Sequence, residues 1–501
     1  PSDQAIAHEQ RRTLKSATQV AFSKNGLEIA FIAGGDLWVM DTELREPVQM
    51  TDTASFERSP VFTADGKGIL FIAERNGQAD IWRADRSDEK QYWWQNKKFK
   101  LSQLTKDTAS EGNLQMSPSG ALLAYTKERG DLWVMRPDGN DARLIFESWN
   151  TPQFDWSPDS KWFVYSQSDN DFNRDIWIRP LDGSRKPFNI SMHPDRDSNP
   201  VWSPDGKVIA FTGRRRGEET DIHYVWLTEE DEQTGSRDRK LKKALEKMRK
   251  GTSRRSRIQI PITKPSSTKR TSPKSGDEDK PEKKESNTAS PKTSAVKPPA
   301  KKRPPMVIDF ENLHERIHRV SIPNTSERSL FWSHDSKKLA FTGTIDGKIG
   351  THFIEIPESL KPKSLSTKTG TQARWISSGN RILWLSGGVP GSVVGTSSYS
   401  YSFSANQTVN ISETFEEAFN QSWRTMRDTF YDDKLGNRDW KAIRKKYAGM
   451  AAGSPDGSTL GRVINLMLGE LNGSHLGFYY RDPSVSPSAP ANAWSDTTAH
   501  L

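Results

Sequence analysis

Short apolar runs return in pairs along most of this chain, each pair split by a polar turn. The unit is a strand ending in an aromatic residue or Met followed by Ser or Thr, a Pro-Asp-Gly-Lys type of turn, and a second apolar strand. It reads VAFSKNGLEIAFIA from Val20, PVFTADGKGILFIA from Pro60 and LQMSPSGALLAYTK from Leu114. It returns as FDWSPDSKWFVYSQ from Phe154, PVWSPDGKVIAFTG from Pro200 and LFWSHDSKKLAFTG from Leu330. A degenerate seventh copy, ARWISSGNRILWLS, starts at Ala373. The anchors are Ser23, Thr63, Ser117, Ser157, Ser203 and Ser333, with Ile376 in the last copy. Each unit predicts a β-hairpin, because Asp-Gly or Asn-Gly supplies the positive φ of a tight turn between short runs rich in Val, Ile, Phe and Trp.

After the second strand, five copies place an Asp-Leu-Trp signal or a variant of it: Asp36–Trp38, Asp80–Trp82, Asp131–Trp133, Asp175–Trp177 and the looser Asp221–Trp226. That is a third strand, and the spacing leaves room for a fourth before the next copy. Four strands in roughly 40 residues, repeated around an axis, are the signature of a β-propeller, and seven copies predict seven blades. A two-sheet sandwich would leave the regular period unexplained. The expected fold is therefore mainly β: a seven-bladed propeller over residues 1–410, followed by a small, mostly helical domain over 411–501.

Composition changes this picture in one place. The 501 residues carry a formal charge of +9, which raises a nucleic-acid partner until the charge is located. Residues 228–305 hold 23 Lys/Arg against 11 Asp/Glu; subtracting these from the totals of 73 and 64 leaves 50 and 53 elsewhere. The basicity thus belongs to one Lys-, Ser- and Pro-rich segment, read as a mostly disordered insertion between blades five and six. Within it, Asp238–Lys250 has the composition of a short charged helix. No aromatics are interleaved for base stacking, so nucleic-acid binding is not the expected role. Zero cysteines exclude disulfides, a thiol nucleophile and Cys-ligated metals. No apolar run reaches the length of a membrane span. The sequence opens on Pro1 and not Met, and no charged-then-apolar leader pattern follows, so the natural start is expected to be missing and the compartment is not readable from it.

One stretch imitates chemistry. His314, Glu315 and His318 spell H-E-x-x-H, the zinc-protease signature. The stretch Arg316–Ile322 is rich in β-branched residues and ends at Pro323, which suits an edge strand, where positions i and i+4 are too far apart to share one metal. Ser321 and Asn324 stand where the extended motif would need Gly and His. No metal site is expected.

From Ile411 the pattern becomes helical. Phe415, Phe419, Trp423, Met426 and Phe430 form one stripe, with Ser412 as the expected N-cap. A second helix is predicted around Trp440, Ile443 and Tyr447. A third runs from about Ser458, with Leu460, Val463, Ile464, Met467, Leu468 and Leu471 inward, to a cap at Asn472-Gly473. Ser474, His475 and an apolar strand, LGFYY, follow.

The W/F-S-P-D-G-K hairpins with D-I/L-W resemble the WD-repeat-like blades of the tricorn protease and of the Tol-system propeller protein, and Ile308-Asp309-Phe310-Glu311 resembles a tricorn stretch that precedes a blade. FNQSWRTMRDTFYDDKLGNRDWKAIRKKY, followed by LMLGELNGSHLGF, resembles the helical first part of the tricorn catalytic core. That resemblance implies a serine peptidase acting on short peptides without ATP, in homo-oligomers, with no cofactor, in the cytoplasm. It implies His475 as general base and Ser474 as its helper. The nucleophilic Ser and the Glu that orients the His are expected in a later domain beyond Leu501, so this chain alone is expected to be inactive. Spacing alone leaves His475 open to a plain packing role in a helix-to-strand turn. A non-enzymatic propeller scaffold that binds proteins, or a nucleic-acid adaptor using the basic segment, remains open as an alternative.

Overall fold

The computed structural model describes residues 9–75, 77–255, 306–473 and 476–479. Seven four-stranded antiparallel sheets form the blades of a propeller, each in chain order from the inner to the outer strand. They occupy residues 19–49, 57–103, 111–146, 154–189, 197–226 with 317–320, 328–366 and 371–400.

The continuous apolar character of the second strands follows from burial on both faces. In Glu28–Ala33 of blade 1, Ile29, Phe31 and Ala33 pack toward Leu383 and Leu385 of blade 7. The alternate residues Ala30 and Ile32 pack toward Ile69 and Phe71 of blade 2. Period-two alternation thus separates two neighbours and not core from solvent.

The anchor residues build the turns. Thr63 Oγ1 donates to Asp65 Oδ1 at 2.6 Å and accepts from Gly68 N at 2.9 Å. Ser157 repeats this with Asp159 and Trp162, Ser203 with Asp205 and Val208, and Ser333 with Asp335 and Lys338. Gly66 and Gly206 supply the left-handed turn position at φ 71° and 78°. In blades 4 and 6 that position is Ser160 and Ser336, and the hydroxyls explain why. Ser160 Oγ accepts from Ser119 N (3.0 Å) and Ser336 Oγ from Asp205 N (2.9 Å), each tying its turn to the preceding blade.

The third-strand aspartates pin the outer strands. Asp36 accepts from Gln49 (2.7 Å) and Thr51 (3.2 Å), and Asp175 from Asn189 (2.8 Å) and Ser191 (2.7 Å). Next to several of them lies a buried acid at the start of the following inner strand: Glu57 by Asp36, Glu111 by Asp80, Glu327 by Asp221. Burial, reinforced by these like charges, pushes Glu111 and Glu327 up to about 8 and Glu57 well above the usual carboxylate range.

Blades 1 and 7 draw all their strands from local sequence, so no shared blade closes the ring. Glu9–Leu14 instead pairs with Ala405–Asn410 as a separate antiparallel ribbon. Arg12 and Gln407 of this ribbon both donate to the carbonyl of Gly34, at 2.7 and 3.2 Å, where a Cβ would overlap Gln407 and Leu14. Across the seam, Gln372 accepts from Val20 N, and Arg374 and Arg381 donate to the carbonyls of Phe22 and Asn25.

The basic insertion sits elsewhere than expected. It interrupts blade 5 between its third strand, Glu219–Trp226, and its fourth, Ile317–Val320, and does not separate blades five and six. Two helices open it, α1 (Glu229–Gln233) and α2 (Ser236–Arg255). Residues 233–305 form a unit distinct from the rest, and 256–305 lie outside the described residues. The chain returns to blade 5 through Ile308–Glu311. There Arg316, buried, donates to the carbonyls of Asp309, Glu311 (3.1 Å) and Trp226 (3.3 Å), which fixes the Ile308–Glu311 stretch against the blade.

Three further helices follow the ribbon: α3 (Ile411–Thr429), α4 (Trp440–Ala452) and α5 (Gly457–Gly469). The N-cap of α3 is Asn410, whose side chain accepts from Glu413 N, so the helix starts ahead of the expected cap Ser412. Phe415, Phe419, Trp423, Met426 and Phe430 pack with Trp440, Tyr447, Leu460, Ile464 and Leu468 in one core. Trp423 and Trp440 donate reciprocally to each other's carbonyls at 2.8 and 2.9 Å, with their rings stacked 6.5 Å apart. Of the LGFYY stretch, the described residues 476–479 pair in no sheet.

Candidate functional site

The helical domain docks on the connections at one end of blades 2 and 3. Glu74, at the end of a second strand, is buried and receives Arg424 of α3 from one side and Arg58 of the inner strand from the other. Gln421, one turn earlier on α3, reaches the same carboxylate at 3.5 Å. Glu417 faces this cluster, and burial pushes its carboxyl up to about 7 against the pull of Arg424. Farther along, Ser110 donates to Asp428 (2.6 Å), while Arg129 donates to Phe430 O (2.7 Å) and Asp433 (2.5 Å).

Between these contacts lies a cavity of about 430 Å³, lined by Thr108, Glu128, Arg129, Ser148, Asp428 and Asp433 among others. Its volume is in the range of small-molecule and peptide side-chain pockets. Asp131 and Arg427 complete its charged lining, which leaves four carboxylates against two guanidiniums. Trp149, next to Ser148, is exposed and stands edge-on to exposed Phe172 with ring centres 5.6 Å apart. By topology both belong to the loops on the face that carries the helices: one links blade 3 to blade 4, the other joins the second and third strands of blade 4.

Ser474 and His475 lie outside the described residues. Their flanks are held. Asn472, at φ 50°, turns the chain out of α5. At Gly473 a Cβ would come within 2.9 Å of the Leu476 side chain, so the turn runs close against that residue. Downstream, Asn465 of α5 brackets the backbone of Phe478, accepting from its N at 2.8 Å and donating to its O at 3.0 Å. Leu476 and Phe478 pack on the helical core.

The residues of H-E-x-x-H are not brought together as ligands. His314 sits in a 3₁₀ turn, Leu313–Arg316, and not on the strand expected to carry it, while His318 is on the fourth strand of blade 5. His318 Nε2 is 3.0 Å from Glu232 Oε1 and its ring stacks on Tyr224. Among the described residues no group of three His, Asp or Glu could hold a metal. No described helix is long and apolar enough to cross a membrane.

Sequence reasoning missed Glu74, Arg58 and Arg424. The signals were a charge closing an otherwise apolar second strand, and Asn420 and Arg424 running beside the apolar stripe of α3.

Residues 411–469, the span of α3 to α5, match the family described as tricorn protease C1 domain. The chain is tricorn-like. A tricorn protease homolog from Saccharolobus solfataricus is 28% identical over 125 residues, 25% of this chain and 12% of that protein. Dipeptidyl-peptidase 5 of Porphyromonas gingivalis is 26% identical over 287 residues, 45% of this chain and 41% of the peptidase. The Tol-Pal system protein TolB of Anaeromyxobacter dehalogenans is 31% identical over 103 residues, 20% of each chain. Among solved structures, the crystal structure of the tricorn protease superposes with a TM-score of 0.63 at 12% identity, covering 93% of this chain and 42% of that one. At that identity the superposition speaks for the fold. The tricorn-like chain thus spans less than half the length of each of these proteins.

Proposed function

We propose that the tricorn-like chain is part of a serine peptidase that hydrolyses short peptides, with the propeller guiding substrate toward the core that begins at Ile411. The observation that carries this reading is the match of α3 to α5 to the tricorn C1 domain, on a propeller to which those helices are locked by Glu74, Arg424 and Arg129. In this proposal His475 is the general base and Ser474 assists it. The ordered flanks, Gly473 against Leu476 and Asn465 against Phe478, support that role, since a base has to be held where a rigid element ends. The attacking Ser and the orienting Glu would come from sequence beyond Leu501. Homo-oligomeric assembly and a cytoplasmic setting belong to the same proposal.

A chain extended through those domains should cleave short peptides and be blocked by serine-directed phosphonates, while the 501-residue chain should not turn over. His475→Ala in the extended chain should remove most of the rate, and Ser474→Ala less of it. Wild-type turnover by the His475→Ala protein would show that the base has been misassigned. The TolB match favours a second reading, a protein-binding propeller without catalysis. An extended chain that lacks all peptidase activity yet retains a protein partner would select it.

A further inference from the structure

The helix α2, which the peptidase reading leaves without a task, has a composition suited to one kind of surface. From Ser236 to Arg255 it carries ten Lys/Arg against two Asp/Glu. Twenty residues of helix extend about 30 Å. At 100° per residue, Leu241, Leu245 and Met248 fall on one stripe with Ala244 beside them. The three large residues are exposed, at 56%, 50% and 72%. Lys240 and Lys247 border the stripe on one side and Lys242 and Arg249 on the other. Long basic side chains can lie along an apolar boundary while their charges reach outward, so this arrangement places cations level with the rim of the stripe.

We propose that α2 is a surface-binding helix that lies flat on an anionic lipid membrane, with Leu241, Leu245 and Met248 entering the acyl boundary and the flanking cations meeting lipid phosphates and carboxylates. A narrow apolar face, a dense basic remainder and low overall hydrophobicity distinguish a helix that lies on a membrane from one that crosses it. Charge complementarity selects an anionic surface, to which each nearby Lys or Arg adds attraction within a Debye length. The apolar stripe decides against the other polyanion. A nucleic-acid backbone would attract the same cations but offers nothing that buries two leucines and a methionine. Such a helix would tether the propeller to a membrane surface, a property independent of the peptidase reading.

The test is sedimentation of the 501-residue chain with vesicles of phosphatidylcholine alone or with about 30% phosphatidylserine, at about 0.15 M salt. The chain should sediment with the anionic vesicles and stay in solution with the neutral ones. Leu241→Asp/Leu245→Asp should lower the anionic-vesicle affinity at least about tenfold, since it places charges where the stripe enters the membrane. Replacing Lys240, Lys242, Lys247 and Arg249 together by Gln should lower it comparably while keeping the stripe. Both variants should keep the wild-type thermal midpoint, because the changed residues are exposed on α2. A wild-type chain that ignores anionic vesicles overturns the proposal. So does an Asp variant that sediments as the wild type does, or equal binding to neutral vesicles. Duplex DNA that binds wild-type and Asp variants alike and strips both from vesicles would reassign α2 to nucleic acid and equally overturn it.

Discussion

Replacing Arg424 by Met tests what holds the helical domain to the propeller. Met keeps most of the aliphatic bulk and removes the charge. The Arg424 and Glu74 side chains are 4% and 3% exposed, so the pair is nearly dry. Breaking such a pair costs about 3–5 kcal/mol, because the remaining charge is stranded. Here Arg58 stays beside Glu74, and it is 32% exposed, so part of the loss is offset. The expected cost is about 2–3 kcal/mol, and it falls on docking of α3 rather than on the blades. In amide exchange through local opening this means about 30- to 160-fold faster exchange along Ile411–Thr429, with blades 5 to 7 unchanged. Glu74→Met/Arg424→Met leaves neither charge stranded, and Arg58 can turn to water while keeping its bond to the carbonyl of Glu111 at 2.9 Å. The double variant should therefore recover at least about tenfold of the protection lost in the single one. Exchange in Arg424→Met within about threefold of wild type would falsify the claim that this pair fastens the domains. A double variant that loses the sum of the two singles would show the residues act separately.

The blade-junction acids give a pH dependence. Glu111 and Glu327, raised to about 8, hold protons in the folded chain that the unfolded chain releases near 4.5, so stability present below that value is lost as pH rises from about 4.5 to about 8. His223, lowered to about 3 by burial, acts in the opposite direction between about 6.5 and 3, so the thermal midpoint should be higher at mildly acidic pH than at pH 8.5 and Glu111→Gln/Glu327→Gln should flatten the alkaline fall. A midpoint that rises steadily from pH 6 to 8.5 would rule this out. Ser160→Gly should be milder than Ser160→Ala by about 1 kcal/mol: both lose the bond from Ser119 N, but only Ala also keeps an L side chain at φ 62°. Equal thermal midpoints for the two would mean the left-handed turn stores no strain. Trp440→Phe removes one of the two reciprocal indole bonds and part of a buried ring, and should lower the stability of the helical domain by about 1–3 kcal/mol in denaturant unfolding followed by helical circular dichroism.

What could be read from the sequence, and what could not, divides by the distance over which residues cooperate. Each hairpin declares itself within some fourteen residues, because the anchor hydroxyl, the Asp two places on and the positive-φ residue all serve one turn, as Thr63, Asp65 and Gly66 do. The apolar stripe of α3 is likewise local, and its five residues are all buried together. Errors begin where a partner is remote. The fourth strand of blade 5 pairs Ile222 with Val320 across the insertion, and with no turn signal to join them the sequence points to an insertion one strand later. The α3 cap moved to Asn410 because the ribbon that pairs Glu9 with Asn410 sets where the strand ends, and Ser412 is already inside the helix. HERIH is the same case in reverse. Its spelling is local, but Arg316 is committed to the carbonyls of the returning chain and His318 to Glu232 and Tyr224. The docking cluster is the extreme case. Glu74 and Arg424 belong to elements whose own patterns are complete without them, so each looks locally like a misplaced charge. Such a charge has a physical meaning: burying it is tolerable only if a partner arrives from elsewhere in the fold. An isolated charge closing an apolar strand, and another beside an apolar helical stripe, are therefore together the sequence mark of a contact between domains, and here they locate the seam that carries the candidate site.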